Sequence, residues 1–333
     1  MSENMCRSVM FSRIGDASVL ELITEPERKP SIGEVRIAVE AIGLNRAEVM
    51  FREGTYLEQP EFPARVGYEA AGVIEAVGEG VSGFEVGDRV STIPAFSMGT
   101  HGVYSEKAIV PAHSVARYPE NLSAKEGSSI WMQYLTAYGA LIDIAKLEPG
   151  QVVLITAASS SVGLAAIQVA RAVGATVIVT TRGTAKLEAL RVAGADHVIS
   201  TDSENLVERV TAITAGAGAQ VIFDSIAGPI IEELATAAAS GAMLIEYGAL
   251  DDRQTPFPLY QALAKGLTIR GYTLFEITQD AKRLNKAKAY IYEGFETGAL
   301  VPVLDRNFAF EDVADAHRYM ESNQQLGKIT LTL

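Results

Sequence analysis

Residues 151–186, QVVLITAASSSVGLAAIQVARAVGATVIVTTRGTAK, restrict the possible folds more than any other stretch of this chain. An apolar run, Val152-Val153-Leu154-Ile155, stops at the small residues Ala157-Ala158-Ser159-Ser160-Ser161. Val162, Ala166, Val169 and Val173 then recur at helical spacing, Gly174 closes the pattern, and a second apolar run covers Thr176 to Val179. Strand, tight turn, helix and strand in that order make a βαβ unit of the dinucleotide-binding kind. A turn of Ala and Ser lets a pyrophosphate approach the free N–H groups of the helix start, and Ser159, Ser160, Ser161 and Val162 are the residues placed to receive it. The competing reading is an ordinary strand-to-helix turn of another α/β enzyme. An acidic residue about 20 positions on would bind a ribose hydroxyl. Thr180, Thr181, Arg182 and Lys186 stand there instead, a set of hydroxyls and cations that suits a 2′-phosphate and makes NADPH the expected cofactor.

The 333 residues allow two domains, and 48% hydrophobic with 21% charged residues is the balance of an ordinary globular protein. A formal charge of −13 repels phosphate backbones, which argues against nucleic-acid binding. Cys6 is the only cysteine, so an internal disulfide is excluded and a reducing compartment is expected. No apolar run approaches membrane-spanning length and the N-terminus has no long apolar segment, so the expectation is a cytoplasmic protein with no membrane partner.

Short alternating runs separated by Gly and Pro fill the first third, as in Val35–Val39, Ala71–Val77, Gly87-Asp88-Arg89-Val90 and 108–111, and predict a compact barrel-like β domain. Ser123-Ala124-Lys125-Glu126 is a capping box, and the pattern through Trp131, Leu135, Tyr138 and 141–142 predicts a helix running to Pro149-Gly150. Strands are then expected at 151–156, 176–181, 197–200, 220–224, 242–247 and 267–274. Helices are expected at 162–173, 184–193, 204–214, 229–239 and 257–265, the alternation of a doubly wound parallel sheet. Val313, Ala316, His317 and Met320 mark an amphipathic helix over 311–321. The strand-like tail Lys328-Ile329-Thr330-Leu331 is expected to return to the β domain. The boundaries follow as 1–122 with 300–333 for the β domain and 123–299 for the nucleotide domain.

Gly67-Tyr68-Glu69-Ala70-Ala71-Gly72-Val73-Ile74-Glu75-Ala76-Val77-Gly78-Glu79-Gly80-Val81 resembles the signature of the medium-chain dehydrogenase/reductase superfamily. Gly87-Asp88-Arg89-Val90, Leu135-Thr136-Ala137 and Gly327-Lys328-Ile329 agree with it in order and spacing, so the similarity spans nearly the whole chain. The resemblance implies an α/β protein with a GroES-like β-barrel domain, a Rossmann domain, and an active site in the cleft between them. Zinc members carry Cys and His where this chain has Asn45, in Gly43-Leu44-Asn45, and Tyr68, and neither is a useful zinc ligand. With one cysteine there is no four-cysteine zinc lobe, and the four histidines lack ligand spacing. No metal is expected. Asn45 with Gly54-Thr55-Tyr56 is similar to the zinc-free quinone oxidoreductase branch, the zeta-crystallin-like enzymes. Two departures stand out: Ala158-Ser159-Ser160-Ser161-Val162-Gly163 replaces that branch's glycine-rich turn, and Thr201 stands near the position of a Tyr that often meets the 2′-phosphate.

Without zinc, hydride must go to a substrate whose reduced anion is weakly basic, such as a quinone or a conjugated enone, with hydrogen-bond donors supplying the stabilisation. Asn45 is the candidate to orient the nicotinamide ribose or the substrate carbonyl. Tyr56 is a candidate proton donor or stacking ring, and Tyr68 a candidate wall where zinc would lie; buried amide and aromatic packing are the plainer readings. Glu69 is expected to hold a buried ion pair or backbone amides. Gln133 and Thr136 are placed toward the cleft. Carboxyl ends of strands face the ligand in such sheets, which puts Ile226, Ala227, Gly248 and Ala249 beside the ribose and nicotinamide. Lys328 is read as a cofactor-phosphate contact or a solvated lysine. The apolar last strand of the sheet, 267–272, leaves an edge that invites a second copy, and the resemblance also implies a homodimer. The reading is an NADPH-dependent, zinc-independent quinone oxidoreductase. Its rivals are an enoyl-thioester or alkenal reductase on the same scaffold and a redox-inactive NADPH-binding sensor.

Overall fold

A computed structural model describes residues 4–333. The chain forms two units, the residues through Met132 together with Pro302–Leu333, and Gln133–Val301. The first unit begins with β1 (Met5–Phe11), β2 (Glu21–Pro26), β3 (Glu34–Gly43), α1 (Arg46–Arg52), β4 (Ala64–Arg65), β5 (Glu69–Val77) and β6 (Arg89–Thr92). It continues with α2 (Met98–His101), β7 (Lys107–Pro111), β8 (Val115–Arg117) and α3 (Ala124–Gly127). α4 (Trp131–Tyr138) spans the boundary. The second unit holds β9 (Val152–Ile155), α5 (Ser161–Val173), β10 (Thr176–Thr181), α6 (Leu187–Val192), β11 (His197–Ser200), α7 (Leu206–Ile213) and β12 (Ala219–Asp224). After these come α8 (Ile230–Ala237), β13 (Ala238–Glu246), α9 (Leu259–Lys265), β14 (Thr268–Gly271), α10 (Phe275–Thr278) and α11 (Ala281–Thr297). β15 (Leu304–Ala309), α12 (Val313–Glu321) and β16 (Lys328–Thr332) complete the first unit.

In the second unit the sheet order is β11-β10-β9-β12-β13-β14, every pair parallel. The order reverses between β9 and β12, and that point is where a doubly wound sheet binds its ligand. Leu154, Ile178, Ile199, Ile222 and Leu244, one from each of five strands, meet Leu206 and Val210 of α7 and Ile231 and Leu234 of α8 in one buried cluster. Each such side chain contributes about 1.5–3 kcal/mol by leaving water. α5 starts where the Ser160 side chain accepts from Gly163 N at 3.0 Å and stops at Gly174, whose φ of +86° suits glycine.

The first unit is antiparallel except for β15 beside β16. β16 also pairs with β3, so the tail does return to the β domain. β3 pairs with β5, β7 and β16, and β1 lies between β2 and β4 in a separate small sheet. α12 buries Val313, Ala316, His317 and Met320, the four positions read from the periodicity.

Three expectations change. The helix predicted from Ser123 to Pro149 is broken: Ser128 and Ser129 hydroxyls donate to Lys125 O, which ends α3, and Gly139–Ile144 is a wider π-type turn after α4. α3 contacts β3, β5 and β16, so the first unit continues past the expected boundary at 122–123. α11 fills a stretch for which no element was predicted. Asp280 caps it, accepting from Lys282 N and Arg283 N, and Leu284, Ala287 and Ile291 form its buried stripe.

Candidate functional site

In the second unit, residues expected at the dinucleotide lie at the carboxyl ends of five strands. The turn after β9 bends at Ala157, a non-glycine residue with φ of +45°, and a Cβ on Gly163 would lie 2.6 Å from Ala158 Cα and O. The helix start therefore rests directly on the turn, a close approach of the kind that admits a pyrophosphate to backbone N–H groups. Ser159, Ser161 and Val162 are half-buried around it. Lys186 Nζ donates to Ser159 Oγ at 3.0 Å, which joins the cationic end of the segment after β10 to the turn. Thr181 is buried and Arg182 exposed beside it, while Thr201, after β11, donates its N–H to Thr181 O at 3.0 Å. The structure thus brings Ser159, Thr181, Arg182, Lys186 and Thr201 to one edge of the sheet. Thr136 is buried in α4, as is Gln133, so the plain helix-surface reading does not hold for either.

Beyond β12, Asp224 is fully buried and organises the next turn. Its Oδ2 accepts from Ala227 N at 2.7 Å and its Oδ1 from Ile226 N at 3.2 Å and from the Thr156 hydroxyl; Thr156 Oγ1 in turn accepts from Ser225 N at 3.2 Å. Ala227 is held at φ +59°, an unfavourable region for an L-residue with a side chain. Backbone bonds Tyr247 N to Asp224 O and Leu250 N to Ser225 O tie this turn to the segment holding Gly248 and Ala249.

The first unit collects the other candidates. Asn45 precedes α1 and is 7% exposed. Its Nδ2 donates to Gly43 O and to Glu48 Oε1, both at 3.2 Å, and its Oδ1 accepts from Lys328 Nζ at 2.5 Å. Both amide hydrogens are spent inside the protein, so Asn45 has no proton for a substrate carbonyl; the second lone pair of Oδ1 leaves it an acceptor. The Lys328 ammonium also donates to Glu69 Oε2, and Glu69 Oε1 accepts from Met132 N at 2.9 Å. Lys328 is 1% exposed, which corrects its reading as a phosphate contact or solvated lysine: the ammonium is committed to Glu69 and Asn45. Glu69 does both things expected of it, holding an ion pair and a backbone amide.

Glu48 extends this network. It accepts from Tyr68 N at 3.1 Å and from the Tyr104 hydroxyl at 2.9 Å, and it also receives Asn45 N. Burial pushes its carboxyl up to about 7 against the opposing pull of Lys328 and these donors. Tyr104 Oη also lies 3.3 Å from His317 Nε2, and burial, with Arg52 and Arg46 near, drives that imidazole down to about 3. Sequence reasoning missed Glu48, although Asn45-Arg46-Ala47-Glu48 has the spacing of a capping box. Tyr68 is fully buried, its ring 6.4 Å from that of Tyr56 and 5.7 Å from that of Phe96. Tyr56 is half-buried beside it, and burial raises both phenols. Asn45 and Tyr68 thus share Glu48, and Tyr56 lies beside Tyr68, whose ring is fully buried.

The donor set around Asn45 does not fit zinc. The Lys328 ammonium bridges Asn45 and Glu69, and a divalent cation there would meet that charge. Among the described residues no three His, Cys, Asp or Glu side chains converge on a point.

Two family models match the chain: "Alcohol dehydrogenase GroES-like domain" over residues 31–120 and "Zinc-binding dehydrogenase" over 161–287. A human quinone oxidoreductase is 32% identical over 338 residues, covering 99% of each chain. The Escherichia coli quinone oxidoreductase solved with NADPH is 27% identical and superimposes with a TM-score of 0.92 over 98% of this chain and 100% of that one. A solved NAD-dependent alcohol dehydrogenase is 30% identical, with a TM-score of 0.89 over 98% and 99% of the two chains.

Proposed function

Since the chain belongs to the quinone oxidoreductase branch of the medium-chain dehydrogenase/reductase superfamily, we propose that it is an NADPH-dependent reductase of quinones and related conjugated carbonyls that works without zinc. The observation that carries this reading is the end of β10, where Thr181 and Arg182 stand in place of an acidic residue and Lys186, just beyond, donates to Ser159 of the Ser-rich turn. The strained turn, the Ser160-capped helix of 13 residues and the close approach at Gly163 fit a dinucleotide.

NADPH, when bound, supplies the hydride. The residues of this chain bind and orient it. Ser159, Ser160, Ser161 and Val162 receive the pyrophosphate; Thr181, Arg182, Lys186 and Thr201 surround the 2′-phosphate. Thr136, Ile226, Ala227, Gly248 and Ala249 border the ribose and nicotinamide. Asn45 Oδ1 accepts from a ribose hydroxyl, the one role its spent amide hydrogens leave. Lys328 fixes the amide in that sense and is a positioning residue. Tyr56 packs its ring against Tyr68, and burial keeps its phenol protonated, so it is the group to donate to the developing oxyanion of the reduced carbonyl.

Measuring Kd for NADPH and NADH with Arg182→Ala tests the reading. NADPH should weaken by about 1–3 kcal/mol more than NADH, the scale of a charge-assisted contact. Equal losses, no NADPH oxidation with 1,4-benzoquinone, or turnover abolished by a chelator would each defeat it. Parallel assays with an alkenal and an enoyl-thioester separate the rival substrates.

The homodimer is part of the proposal. β14 ends the sheet with a free edge, and Phe257, Leu259, Tyr260 and Leu263 on and beside α9 are exposed. Light scattering giving the mass of one chain at low concentration would refute it. The lone buried Cys6 supports a reducing, cytoplasmic setting, and no described helix is long and apolar enough to cross a membrane.

A further inference from the structure

Glu246 and Asp224 sit side by side on neighbouring parallel strands, their Cα atoms paired in register. Both oxygens of Glu246 are enclosed with no donor in reach. Asp224 faces it, and its oxygens already accept from Thr156, Ile226 and Ala227. On the other side β14 offers Gly271 opposite Glu246, and Arg270 is engaged by Glu276. Tyr247 follows Glu246 on its own strand, its ring stacked on Phe223 at 4.0 Å. The charged group that acts on Glu246 is thus Asp224, and two facing carboxylates without a cation cannot both stay ionised. Burial and Asp224 together raise the Glu246 carboxyl to about 9.

We propose that Glu246 is a positioning residue for the dinucleotide: it carries the single proton of an acid pair with Asp224 and donates it across the strands, holding turn 225–228 and segment 247–249 closed. This rests on the reading that the dinucleotide binds at this edge of the sheet. With the proton present, Asp224 keeps its grip on the Ile226 and Ala227 amides and on Thr156, which adjoins the Ala157 turn. When the proton leaves, the two anions repel and both turns on the ligand side of the sheet lose their anchor.

NADPH titrations of the wild-type protein and of Glu246→Gln, from neutral to alkaline pH, decide it. In the wild type, Kd holds level through neutral pH and rises by up to tenfold per pH unit above about 9, as linkage to one proton requires. Gln keeps a donor that cannot ionise, so the ratio of alkaline to neutral Kd falls to near one, whatever its neutral value. A level wild-type profile, or the same alkaline rise in both proteins, overturns the proposal. Infrared spectroscopy of the wild type needs no variant: a protonated-carboxyl band at neutral pH that fades above about 9 is expected, and its absence also overturns the acid pair. Failure of the wild type to bind NADPH at neutral pH, with that band present, would instead defeat the dinucleotide reading and take the positioning role with it.

Discussion

Replacing Lys328 with Met removes the one cation in contact with two buried acceptors. Glu69 Oε2 loses its partner while Oε1 keeps only Met132 N, and Asn45 Oδ1 loses its donor. Breaking a buried pair from one side costs about 3–5 kcal/mol, and an orphaned buried acceptor about 1–3. Both losses pass through one nitrogen and do not add fully, so we expect about 4–6 kcal/mol in all. For an m-value of about 2–3 kcal/mol/M, the urea midpoint falls by about 2 M. Trp131, the only tryptophan in the sequence, is fully buried in the same unit, with its Nε1 donating to Ser91 Oγ at 2.8 Å, so its fluorescence follows the unfolding. Glu69→Gln added to Lys328→Met removes the stranded charge and should recover about half of the loss or more. A single-variant shift below about 0.5 M, or a double variant no more stable than the single, would refute the reasoning.

Gly163→Ala places a Cβ 2.6 Å from Ala158 backbone atoms, which cannot swing aside; we expect about 1–3 kcal/mol of destabilisation by calorimetry and weaker NADPH binding by titration. His317, lowered to about 3 from 6.5, contributes stability that is complete above pH 6.5 and lost as the pH falls toward 3. Glu48, raised from 4.5 to about 7, acts with the opposite sign, its contribution present below pH 4.5 and lost toward 7. Between pH 4.5 and 6.5 the two oppose. The stability difference between wild type and His317→Gln, followed by Trp131 fluorescence, should therefore shrink by about 1.4 kcal/mol per unit as the pH drops below 6.5, and parallel profiles would refute this.

The nucleotide unit was legible because its signals are local. Periodicity, Ser160 and Gly174 fix α5 within one short window, and the apolar runs name the strands. α11 was legible in principle: Asp280, Leu284, Ala287, Ile291 and Gly298 carry both caps and the stripe. Lys328 was not legible. A lysine at the start of a strand reads as solvated, and its burial depends on Asn45 at the start of α1 and Glu69 on β5. Glu246 is similar: a polar residue at a strand end looks unremarkable until the register sets it beside Asp224. Local pattern gives elements and binding turns, whereas buried charge depends on who the neighbours are, which distant chain segments decide.

β16 carries a consequence for how the molecule is made. Its residues 328–332 supply the partner of β3 and the cation for Asn45, nearly three hundred positions downstream. The second unit is continuous in sequence and can condense while the ribosome is still at work. The first keeps an unfinished edge and two uncompensated acceptors until residues 328–332 are made, so it closes after the second and meets chaperones and proteases for longer.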